Sequence, residues 1–149
     1  MAMVLRSELS PKNKYYIDTH RYHELKHFCL QYLNWKQEYN ELDGLSKFNN
    51  EDAIRDHKDP TYDVAEKKLL YFDKMKIVEQ TAIAADSNIS NYILKGVTEG
   101  RSYNYLKTKL DIPCGRDLYY DRYRRFFWLL NKAKHWYLEE ILWIKINYL

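Results

Sequence analysis

The chain is poor in the residues that break helices and build turns, with only four Gly and three Pro in 149 residues. That scarcity disfavours a many-stranded, turn-rich fold, and segments rich in lysine, leucine and glutamate favour helices instead. Cysteine is also rare. Cys29 and Cys114 stand far apart with no C-x2-C spacing, so neither a disulfide framework nor a zinc knuckle is expected. Nowhere do 18 apolar residues run together, and residues 1–9 lack the apolar run of a signal peptide. The expectation is a reduced, cytoplasmic protein with no membrane partner. G-x-G-x-x-G, the P-loop, H-E-x-x-H and G-x-S-x-G are missing too. No enzyme, no catalytic residue and no cofactor is therefore expected.

What the chain does have is aromatic surface. Fifteen tyrosines carry apolar area and a hydroxyl together, which explains how a chain with 46% hydrophobic residues has a mean hydropathy of -0.70. That is enough for a real core in one domain, or a small domain with an arm. Charge is unevenly spread. Between Arg101 and His135 nine Lys/Arg stand against three Asp, whereas the remainder carries 15 basic and 18 acidic residues. A basic segment on a mildly acidic body suits a polyanionic partner.

In order, residues 1–17 read as an irregular arm. Asp18 or Thr19 can cap a helix over residues 20–42, with Tyr22, Leu25, Cys29, Tyr32 and Trp35 or Lys36 near one stripe. His20, His23 and His27 share a face of that helix, but no fourth zinc ligand accompanies them, so a partly solvated face is expected and no metal. Residues 43–60 are polar, hold Gly44 and Pro60, and read as a mobile loop. A helix restarts at Asp59, Pro60 and Thr61 and should be the longest of the body, with Val64, Leu69 or Leu70, Phe72, Met75, Ile77 or Val78, Ala82 and Ile83 at helical spacing. Residues 86–88 break it, and Ile89, Tyr92, Ile93 and Val97 mark a shorter helix ending near Gly100.

The most informative stretch is residues 102–130, SYNYLKTKLDIPCGRDLYYDRYRRFFWLL. It reads as a short helix capped by Ser102, a turn with Ile112, Pro113 and Gly115, and a second helix that is both basic and aromatic. Tyr103, Leu106 and Leu110 should point inward from the first helix, and Tyr119, Tyr123, Phe126, Phe127 and Leu130 from the second. The other face of the second helix then carries Arg116, Asp117, Tyr120, Asp121, Arg124 and Trp128. A recognition helix enters the major groove by its first turns, which puts Arg116, Asp117, Tyr120, Asp121 and Arg124 at base edges. Arg101, Lys107, Lys109, Arg122 and Arg125 are expected at phosphates. The competing reading is an ordinary amphipathic helix with solvated arginines and core aromatics.

The run YNYLKTKLDIPCGRDLYYDRYRRFFWLL, above all GRDLYYDRYRRFF, resembles the C-terminal part of RinA/ArpU-type phage late transcription regulators. The resemblance implies a small helical protein of phages or prophages with a sigma-factor-like helix-turn-helix. It places double-stranded DNA against Arg116, Asp117, Tyr120, Arg122, Arg124 and Arg125, with RNA polymerase as a candidate further partner. It does not reach the first 85 residues.

One departure is the tail HWYLEEILWIKINYL, because comparable regulators stop soon after the recognition helix. Its apolar surface must be buried, either on the N-terminal helices or in a homodimer that presents two recognition helices. The sequence thus predicts an all-α fold: an N-terminal helical region over 1–85 and, over 86–149, a helix-turn-helix region with an extended apolar C-terminal helix. Two other functions fit these features: a small terminase-like packaging protein, and a helical protein-protein interaction module whose basic helix is incidental.

Overall fold

The computed structural model describes the backbone of residues 11–52 and 60–148 and the side chains of residues 11–44 and 63–135. All regular structure among the described residues is helical: α1 (Thr19–Leu30), α2 (Tyr32–Asp52), α3 (Pro60–Ala85), α4 (Ser90–Glu99), α5 (Tyr103–Leu110) and α6 (Arg116–Tyr148). None of these helices is long and apolar enough to cross a membrane.

Asp18 caps α1, accepting from the His20 amide at 3.0 Å. The single helix expected over 20–42 is interrupted at Gln31, whose amide reaches the Phe28 carbonyl at 3.2 Å, three residues back rather than four. The tightening has a packing reason. Cys29, Tyr32 and Trp35 are all buried, and a tightened turn keeps these two successive steps of three residues closer to one side.

α2 and α3 form an antiparallel pair. Tyr32 donates to Glu79 at 2.6 Å, Tyr39 lies 6.3 Å from Phe72 between ring centres, and Asp43 is ion-paired with Lys68. This pairing corrects the expected loop over 43–60, since α2 stays helical through Asp52. Gly44 costs a helix only about 1 kcal/mol against alanine, which packing along α3 outweighs. Residues 53–59 of that loop lie outside the described residues.

α3 begins at Pro60 as expected and is 26 residues long. Of its anticipated apolar positions Met75, Val78 and Ala82 are buried, joined by Ala85, but Leu69, Leu70, Phe72 and Ile83 are exposed. In the first half of α3, Phe72 and Lys68 meet Tyr39 and Asp43 of α2.

One core runs through all of this. Tyr22 and Leu25 of α1, Trp35 of α2, Val78 of α3, Ile93 of α4, Leu106 of α5 and Phe126 of α6 belong to a single buried cluster. It draws side chains from both sides of the 85/86 boundary. α6 runs unbroken for 33 residues, so the basic helix and the apolar tail share one backbone.

Candidate nucleic-acid interface

α4, α5 and α6 follow one another through two short, firmly set turns. Gly100 ends α4 with φ +67, a left-handed conformation that glycine adopts without a Cβ clash. Ser102 caps α5, accepting from the Tyr105 amide at 3.2 Å. Asp111 closes α5 with φ 51, and the Ile112 amide reaches back to the Leu106 carbonyl at 3.1 Å. Ile112 and Leu106 are both fully buried, the apolar contact that accompanies this kind of helix end. Tyr103 then donates to the Cys114 carbonyl at 2.8 Å and ties the turn down from the α5 side. The Tyr119 amide bonds the Gly115 carbonyl at 3.1 Å as α6 begins.

The buried face of α6 is the anticipated one: Tyr119, Tyr123, Phe126, Phe127 and Leu130. Tyr119 seats on α4 where residue 96 is glycine, because a Cβ there would overlap its hydroxyl. Tyr22 of α1 meets Phe127 edge to face at 5.0 Å between ring centres.

The ten expected DNA-contacting residues divide into three sets. Arg116 and Asp117 are exposed on the first turn of α6, and Lys107 and Lys109 on α5. Arg116 donates to Asn104 at 2.8 Å, with its guanidinium 5.8 Å from the Tyr103 ring centre. Asp117 suits the positive end of the helix dipole as well as a base contact. Lys107 stays near its own turn, 3.8 Å from Asp111. Arg101 is exposed, stacks 4.3 Å over Tyr105, and lies 3.8 Å from Glu99.

The second set is half-buried and holds the fold. Arg122 spans Asp86 at 3.0 Å and Asp121 at 2.7 Å, joining the turn after α3 to α6; Asp86 raises the guanidinium pKa further through the hydrogen bond. Tyr120 packs among Tyr103, Tyr119 and Tyr123. Arg125 is half-buried too.

Arg124 forms the third set, packed toward the N-terminal arm. It lines a small cavity with Tyr15, Ile17, Tyr22 and Phe127 rather than standing beside Arg116. The cause is the N-terminal arm, which is not loose where it is described: Ile17 is buried and Tyr15 meets Trp128 at 5.6 Å between ring centres. Over residues 116–125 of α6 the exposed side chains are therefore those of the first turn, 116–118.

Asn104, which accepts from Arg116, was not anticipated, and neither was the exposure of Leu118 in the first turn of α6. An uncharged amide on α5 gives no charge pattern; only its helical position opposite Arg116 could have marked it. The histidine face divides, with His20 and His27 exposed and His23 half-buried against Tyr22 at 5.3 Å between ring centres. The side chains of residues 136–149, on which the dimer expectation rests, lie outside the described residues.

Comparison with protein-family models, with curated proteins and with solved structures finds no match.

Proposed function

We propose that this chain is a phage-type, sequence-specific regulator that binds double-stranded DNA through a helix-turn-helix formed by α4, α5 and α6. The observation that carries the reading is the first turn of α6: Arg116 and Asp117 stand exposed on a helix whose opposite face is locked into the core by Tyr119, Tyr123 and Phe126. A rigid helix with a polar first turn is what a major groove accepts. Arg116 suits guanine O6 and N7, and Asp117 suits cytosine N4. Lys107, Lys109 and Arg101 flank that turn in sequence and supply charge for phosphates. The resemblance to RinA/ArpU-type regulators, on GRDLYYDRYRRFF, supports the same face.

In this reading the apolar tail of α6 pairs with a second copy, so two first turns address adjacent half-sites, and RNA polymerase is the further partner. The test is selection of duplexes from a random pool by the full chain. A specific regulator enriches one motif and loses affinity steeply with salt; binding that is equal for all duplexes would favour a packaging role or a non-specific one.

A further inference from the structure

We propose that the cleft between α1, the C-terminal end of α4 and α6 is a binding site for a small organic anion built on a flat ring, of the aromatic carboxylate class. The cleft holds about 260 Å3. That suits a single ring with an acid group and is small for a drug-sized ligand.

Its walls are aromatic, formed by Tyr22, Tyr120 and Tyr123. Lys26 of α1 and Arg101 beyond α4 stand at the same opening, and no carboxylate is among the lining residues. Arg101 Nε lies 3.8 Å from Glu99. A cation pair over aromatic walls attracts an anion with a π-face.

The floor supplies the second observation. The Tyr119 hydroxyl is buried with no hydrogen-bond partner, beside Gly96, which also lines the cleft. Buried hydroxyls are nearly always paired, and an orphan one marks a place for a ligand or a water. Burial raises the Tyr119 pKa above the usual phenol range, so the group is a hydrogen-bond donor throughout the neutral range. An acceptor entering from the cleft and reaching the Tyr119 hydroxyl at the cleft floor would complete it.

The test uses the free full chain, so its outcome does not depend on the DNA reading. Sodium benzoate is titrated while the backbone amides of Gly96, Gly100 and Ser102 are followed by NMR, with benzyl alcohol and acetate as the ring without charge and the charge without ring. The site requires saturable shifts at these amides with benzoate, roughly tenfold tighter than either fragment. Lys26→Ala and Tyr119→Phe should each weaken benzoate by roughly tenfold, the loss of one hydrogen-bond or charge contact. Tyr119→Phe should leave the thermal midpoint unchanged or raised, because it removes an unpaired hydroxyl; a merely structural Tyr119 would lower it. No saturable shift with benzoate overturns the proposal, as does wild-type benzoate affinity in Lys26→Ala.

Discussion

The hydroxyls of Tyr22 and Tyr123 meet at 2.7 Å in the buried seam between α1 and α6. Around them Tyr22 and Tyr123 each meet Phe127 edge to face at 5.0 Å between ring centres. This pair fixes the rotation of α6 about its axis, and with it the direction in which Arg116 points.

Removing either hydroxyl leaves its buried partner deprived of that bond. Tyr22→Phe or Tyr123→Phe should each cost about 1–2 kcal/mol in urea unfolding, while the double variant should cost less than the sum. Strictly additive losses would contradict the coupling.

Gly96 carries a steric prediction. Gly96→Ala places a methyl on the Tyr119 hydroxyl, and overpacking of this kind costs about 1–3 kcal/mol. Adding Tyr119→Phe removes the clashing oxygen and should restore most of the loss. If the second substitution restores nothing, the close approach of α4 and α6 is wrong.

Arg122 is expected to matter for the fold rather than for DNA. Its bonds to Asp86 and Asp121 are partly shielded from solvent, so Arg122→Ala should lower stability by about 1 kcal/mol. Asp86→Ala should lower it by a similar amount, and the salt slope of DNA binding should not change in Arg122→Ala. A flatter slope with unchanged stability would return Arg122 to the phosphate contacts.

Alkaline pH should loosen the core. Burial pushes the Cys29 thiol from 9.0 up to about 12, and it raises the Tyr119 and Tyr32 phenols as well, with Glu79 adding to Tyr32. In each case the unfolded chain ionises first and the folded one holds its proton. Stability is therefore fully present below pH 9 and falls as pH rises from there toward 12. Lys134, whose pKa is lowered chiefly by burial, works in the opposite sense, one group against these three and Cys114, whose thiol burial also raises. Urea midpoints at pH 8, 10 and 11 should fall in that order, and Cys29→Ala should flatten the decline; a flat or rising series would contradict these burials.

Periodicity carried most of the fold, and it worked best where one stripe decides burial. The inward face of α6, the anchor at Ile112 and the stripe from Tyr22 to Trp35 over α1 and the start of α2 were all legible, because each is enclosed on one side only. The polar run after residue 43 was misread as a loop because its helix is held by α3, through pairs such as Asp43 with Lys68 that lie 25 positions apart. The candidate interface was legible by charge but not by contact. Arg116, Arg122 and Arg124 look alike in sequence. One is exposed, one bridges two aspartates, and one lies against the N-terminal arm, a difference set by Asp86, Tyr15 and Ile17 far along the chain.

The most direct test is the affinity of wild type and Arg116→Ala for the duplex that random selection enriches, measured beside a random duplex at the same salt. The first turn of α6 as the base-reading element requires Arg116→Ala to lose about 1–3 kcal/mol, roughly 5- to 150-fold, on the selected site and little on the random one. Equal affinity of the two proteins for the selected duplex would contradict it.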